Sequence, residues 1–177
     1  MKILRAVPVL LALAASGCIL TSGQFVVTYD LGTVNVTSPS AVVGVQVDLN
    51  QEDDYNEHKE DIKALADEAL LGYVKNNRAE ALQVQIWLTP GLTAYTTDAE
   101  VRANGVLSWG PLALGPQEQL RVDWDLSASL LTPEGKKLLE QEVKGDGTFT
   151  VYIVGAAGDY SLTVTSGQLL TIIDGGV

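Results

Sequence analysis

The amino-acid sequence predicts a mainly β fold: one antiparallel β-sandwich with one or two short helices in its connections. Three observations carry that expectation. From Gln24 onward apolar residues alternate with polar ones over most of the chain, the period of a strand with one face on a core. The alternating runs are short and separated by Gly, Pro and Asn, as strands joined by turns require. Two segments alone break the period, which confines helices to connections. A closed barrel is the alternative architecture for the same pattern.

Taken in order, Phe25, Val27, Tyr29 and Leu31 alternate with Gln24, Val26, Thr28 and Asp30, and Val34 and Val36 continue the strand beyond a break at Gly32. Thr37-Ser38-Pro39-Ser40 is a turn, after which Val43, Val45, Val47 and Leu49 form the apolar face of a second strand. Between Tyr55 and about Ala69 the spacing of Tyr55, Ile62, Leu65, Ala66 and Ala69 is helical, with Asp53 and Asp54 as caps. Leu71, Tyr73 and Val74 then lead to a turn at Asn76-Asn77 and to pairing with a strand over Ala81 to Thr89, ended by Pro90-Gly91. Val101 to Trp109 makes a weaker strand. Leu120, Val122, Trp124 and Leu126 predict a long one with Trp124 facing inward. Thr132 as N-cap and Pro133 at the first helical position start a short helix, which Gly145-Asp146-Gly147 stops. Phe149, Val151 and Ile153 and then Tyr160, Leu162 and Val164 flank Gly155-Ala156-Ala157-Gly158-Asp159 as a hairpin, and Leu169 to Ile173 adds a final strand.

The N-terminus carries the strongest functional signal. Met-Lys-Ile-Leu-Arg precedes an apolar run from Ala6 to Ala15, interrupted by Pro8 and too short to span a bilayer. The chain's single cysteine, Cys18, follows directly after Ala15-Ser16-Gly17. This arrangement resembles the lipobox of bacterial lipoproteins, with Ala15 where Leu is commoner. The resemblance implies a signal peptide over residues 1–17, removal of that segment, and a mature chain beginning at a diacylated Cys18. Residues 18–23 then form a short tether, and the sandwich domain spans 24–177. Two or three acyl chains anchor firmly where one is marginal. In Gram-negative lipoproteins Ile19 rather than Asp after the cysteine implies passage to the outer membrane.

Composition narrows the remaining classes. Of 177 residues 46% are hydrophobic and 19% charged, so the chain is globular rather than disordered. One cysteine excludes an internal disulfide. Loss of Lys2 and Arg5 with the signal leaves 22 acidic residues and nine basic ones, a mature charge of −13. With no Lys/Arg cluster, a nucleic-acid partner is not expected. The stretch from His58-Lys59-Glu60-Asp61-Ile62 through Tyr73-Val74-Lys75-Asn76-Asn77 and the next strand resembles a segment of uncharacterised secreted lipoproteins of Gram-negative bacteria. There it leads into an immunoglobulin-like sandwich, which the resemblance implies here.

Few residues of the chain fall into patterns that carry chemistry. The one histidine, His58, lies in an acidic run, and the chain has no Gly-x-Ser-x-Gly elbow, Walker loop or dinucleotide fingerprint. One His and one acylated Cys do not make a zinc site. Asp48, Asn50, Glu52 and Asp54 set oxygen ligands at alternate positions, the weak calcium candidates, although an EF-hand loop begun at Asp48 would put Asp53 and Lys59 where Gly and Glu belong. A pair of carboxylates acting as acid and base requires no motif and is a further candidate. Trp87 falls on the strand face opposite Leu82, Val84, Ile86 and Leu88, which makes it a candidate partner contact. The expectation is a lipid-anchored envelope protein without enzymatic activity or cofactor, a structural or protein-interaction module with an envelope partner. A ligand-binding lipoprotein, for calcium or a small molecule, is the alternative.

Overall fold

In the computed structural model, residues 22–38, 42–155 and 159–176 are described. The strands are β1 (Ser22–Thr37), β2 (Gly44–Asp48), β3 (Ile62–Asn76), β4 (Leu82–Pro90), β5 (Val106–Leu114), β6 (Gln119–Val122), β7 (Thr148–Gly155) and β8 (Ser161–Gly176). The short helices are α1 (Asp53–His58), α2 (Asp98–Asn104), α3 (Trp124–Leu130) and α4 (Pro133–Lys144). Two antiparallel sheets result, ordered β1-β8-β3-β6 and β2-β7-β4-β5. Val27, Leu162 and Ile173 of the first sheet and Val47, Val84 and Phe149 of the second belong to one buried cluster, so the two sheets share a core in a sandwich-like arrangement.

The pairings have a simple logic. β1 pairs with β8, β2 with β7, β3 with β6 and β4 with β5, all antiparallel. The first half of the chain is therefore zipped against the second as one ribbon. Rolling that ribbon brings β8 beside β3 and β7 beside β4, which supplies the two remaining pairings. This is the strand order of a jelly roll. In the immunoglobulin order the first strand pairs with the second, whereas β1 here pairs with β8. The immunoglobulin-like connectivity implied by the resemblance is thus not the one observed. An alternating pattern fixes which face of a strand is inward, but it does not choose the neighbours.

The same logic corrects both predicted hairpins. β3 and β4 lie in different sheets, as do β7 and β8, so the Asn76-Asn77 and Gly155–Asp159 segments join strands across the sandwich. Residues 156–158 of the second turn, and Pro39-Ser40 of the first predicted turn, lie outside the described residues. Asn76 itself is fully buried and ties two connections together, its Nδ2 donating to the carbonyls of Glu80 and Gly115, both at 2.8 Å.

The helix expected over Tyr55 to Ala69 ends at His58, and after a 3₁₀ turn over Lys59–Asp61 the chain enters β3. Two bulges explain the misleading spacing. Opposite the inward-facing Gly175, Ile173 and Thr171 of β8 stand Ile62, Leu65 and Glu68, three residues apart rather than two. Each bulge adds a residue to β3, and apolar positions at a spacing of three imitate a helix. Downstream, residues 98–104 are helical rather than the start of a strand. Thr97 accepts from the Glu100 amide while the Glu100 carboxylate accepts from the Thr97 amide, a reciprocal cap on a helix too short to show a period. The long strand expected from Leu120 stops at Val122. Asp123 caps α3 by accepting from the Leu126 amide, so Trp124 opens a helix and is half-buried instead of lining a core. The predicted helix at 133–144 is present, with Thr132 accepting from the Gly135 amide at 3.0 Å, Pro133 in the first turn and Gly145 as C-cap.

Residues 91–104 cover the outer face of β7 and, through Arg102 over Trp87, part of that of β4. Thr150 and Tyr152 donate to the carbonyls of Gly91 and Thr93, and Arg102 donates to that of Gly155. β7 is consequently buried on both faces. The side of the sandwich is closed differently. β6 accompanies β3 only from Gly72 to Lys75, and upstream of that stretch α3 takes its place. Ser127 accepts the Leu70 amide on its Oγ at 2.8 Å and the Trp109 indole N–H on its carbonyl at 3.2 Å, joining the edge of one sheet to the edge of the other. Ser127→Ala strands the Leu70 amide and is expected to cost about 1–3 kcal/mol in urea unfolding. The exposed Ser129→Ala should stay within about 0.5 kcal/mol, and equal losses in the two variants would remove the edge-closing role from Ser127.

Candidate functional site

Three neighbouring strands of the first sheet break register at one level. Gly32 of β1 (φ 68°), Gly72 of β3 (φ 143°) and Ser166 of β8 (φ 52°) all have left-handed backbone there, and Gly32 stands opposite Gly167. A Cβ on Gly72 would come within 3.0 Å of the Ser166 carbonyl oxygen, so only glycine fits. The aligned irregularities crease the sheet. Beneath the crease lies a cavity of about 30 Å³ between the sheets, lined by apolar groups that include Leu31, Leu70, Ile86, Trp109 and Val164. Its walls give water no partners and its volume admits no metabolite.

A second enclosed space, of about 10 Å³, lies beside Glu68 and Ser108 under α4. Glu68 is 3% exposed and its Oε1 has no hydrogen-bond partner among the described residues. The Lys136 ammonium of α4 stands 3.6 Å from that oxygen and 3.8 Å from Asp67. Burial pushes the Glu68 carboxyl above the usual carboxylate range, and Lys136 draws it partly back. The space holds roughly one water molecule, so Glu68 is a buried charge with a partial counter-ion and no room for a substrate beside it.

The residues singled out in the sequence are scattered. Cys18 lies outside the described residues. Asp48 ends β2 and caps the following 3₁₀ turn: one carboxylate oxygen accepts from the Asn50 side chain (2.9 Å) and amide (3.1 Å), the other from the Gln51 side chain (3.2 Å). The Asn50 side-chain bond is the first cause that lowers its carboxyl below the ordinary value. Asn50 also donates to the Asp146 carbonyl, while Glu52 and Asp54 belong to the start of α1. Among the described residues no group of three or more His, Cys, Asp and Glu is placed to hold a metal ion. The ring of His58 packs on Phe25, with centroids 4.7 Å apart. Trp87 does lie opposite Val84, Ile86 and Leu88, half-buried, with the Arg102 guanidinium 5.1 Å from its ring centroid. Arg102 donates as well to Gln85 at 3.0 Å, so much of the Trp87 ring is already in use within the fold.

Two residues escaped sequence reasoning. Glu68 sits in a run that reads as a helix with a solvated Asp-Glu pair, and nothing local marks it as inward. Arg102 belongs to the helix announced by Thr97-x-x-Glu100, a signal that was present in the sequence. The chain matches no protein-family model and no curated protein.

The Glu68 carboxyl gives a signed prediction. A carboxyl raised on folding favours the protonated native state, so its burden is absent below the unfolded value and grows as the pH rises through the folded one. Glu68→Gln should be more stable than the parent by on the order of 1 kcal/mol at pH 7.5, and the gain should vanish near pH 4. A destabilised variant across that whole range would show that the Lys136 pair outweighs the burial of the charge.

Proposed function

We propose that this chain is a lipid-anchored protein of the bacterial envelope, attached through Cys18 and directed to the outer membrane, in which the β domain is a non-catalytic structural or protein-interaction module. The observation that carries this reading is the chain's only cysteine set directly after Ala15-Ser16-Gly17 and an apolar run. β1 begins at Ser22, four positions after Cys18, so an extended tether reaches at most about 14 Å. The domain is then held against the membrane surface, within reach of an envelope partner there. The small size of the two spaces described above favours a module that works through its surface over one that encloses a metabolite between its sheets. The strand order supports a jelly-roll sandwich as the form of that module.

The test is metabolic labelling with an alkyne fatty acid, together with fractionation and in-cell crosslinking of a C-terminally tagged chain. The parent should carry label, sediment with membranes and crosslink to a reproducible envelope protein, whereas Cys18→Ser should lose all three. An unlabelled parent, or a Cys18→Ser chain that stays membrane-bound, would overturn the anchor. A labelled parent that crosslinks to no protein would overturn the interaction role.

A further inference from the structure

We propose that the outer face of the first sheet lies flat on the bilayer, so that the anchored domain rests side-on rather than standing on its end. The proposal rests on the lipid anchor at Cys18. It begins from an asymmetry between the two sheets: residues 91–104 bury the outer face of β7 in the second, whose β5 margin at Pro111 and Ala113 stays open, whereas Gln24, Val26, Thr28 and Asp30 along β1 are all exposed on the first.

The open face carries apolar groups close to the tether. Val26, eight positions after Cys18, is 47% exposed and faces the same way as its cross-strand partner Ile172. Leu170 follows two residues along β8, opposite Thr28, and Tyr73 of β3 is 40% exposed further along the sheet. Free-standing apolar groups on a sheet face gain most where a lipid interface covers them.

Charge selects between the two postures open to so short a tether. Ser22 pairs with Gly176, Ile62 pairs with Gly175, and His58 packs on Phe25, so the connection between β2 and β3 sits at the tethered end. That connection holds seven acidic residues against Lys59 between positions 48 and 61. Standing on its end, the domain would press this segment toward an anionic surface. The open face instead sets Asp30, Asp67 and Asp174 against Lys75 and Arg121, so little of the mature charge of −13 meets the lipid.

An acylated Cys18 leaves no free thiol, so one introduced cysteine can be labelled alone in the purified lipidated protein. Val26→Cys and Leu92→Cys each carry an environment-sensitive fluorophore on vesicles of phosphatidylethanolamine and phosphatidylglycerol. Leu92 is 42% exposed and lies over the second sheet, so it reports the far side. The side-on posture predicts a blue-shifted label at position 26, quenched by acrylamide about threefold less than the label at position 92. Equal quenching at both positions on protein that floats with the vesicles would refute the posture and leave the anchor intact. Protein that neither carries acyl chains nor floats would refute both. Thr28→Cys repeats the measurement on the same face should the first substitution disturb folding. Protection of position 26 in the soluble Cys18→Ser background without vesicles would assign the face to a second copy and overturn the proposal.

Discussion

β8 is clasped from both sides: β1 zips to it from Ser22↔Gly176 to Thr37↔Ser161, and β3 pairs along its other edge from Ile62↔Gly175 to Asn76↔Leu162. Among the described residues β8 is the only strand that pairs with β1 in the first sheet, so that sheet cannot close until the last strand of the chain has arrived. Among the described residues, ladder pairing between strands consecutive in the chain occurs only for β4 and β5, and even these are separated by the segment that carries α2. Nearly every pairing is therefore long-range, which places the domain among slow-folding β topologies. Ser22 of β1 pairs with Gly176 of β8 at one end of the first sheet, and the acidic connection between β2 and β3 lies beside that end, where Ile62 pairs with Gly175 and His58 packs on Phe25.

The rest of the molecule manages what this ribbon leaves open. Rolling the ribbon exposes an edge of β3 wherever β6 falls short, and α3 fills that gap with Ser127. It also leaves the outer face of β7 bare, and the β4–β5 connection covers that face through Tyr152, Thr150 and Arg102. The crease through Gly32, Gly72 and Ser166 bends the first sheet over the core, with a small apolar cavity beneath. Glu68 stands at the inner margin of this construction, where two bulges rotate an acid inward against α4.

The sequence made strand faces legible and left strand neighbours hidden. Alternation in β1, β2, β4 and β8 marked Val27, Val47, Val84 and Leu162 as inward, because a half-buried strand has that period wherever its partners lie. The Thr132-Pro133 start and the Gly145 stop of α4 were readable because capping is local chemistry. β3 was concealed by its bulges, which bring Ile62, Leu65 and Glu68 to one face at a helical spacing. α2 was concealed because only Val101 of its seven residues is buried, so no period can develop. The roll itself has no local signature: the Gly- and Asn-rich turns that close hairpins also carry a chain from one sheet to the other. Of the candidate sites, Asp48 proved to be a cap and Trp87 a partner for Arg102, roles that depend on residues distant in the chain or on turn geometry.

Completion by the terminal strands makes the two sheets one cooperative unit. Native-state hydrogen exchange, followed residue by residue with increasing denaturant, tests this most directly. Amides of β8 around Leu162, Leu169 and Ile173 are expected to merge with those of β7 around Phe149 and Val151 into a single opening reaction at the full unfolding free energy. If β8 opened several kcal/mol below β7 while the second sheet stayed protected, the sheets would be independent units and the clasp at β8 would not hold the domain together.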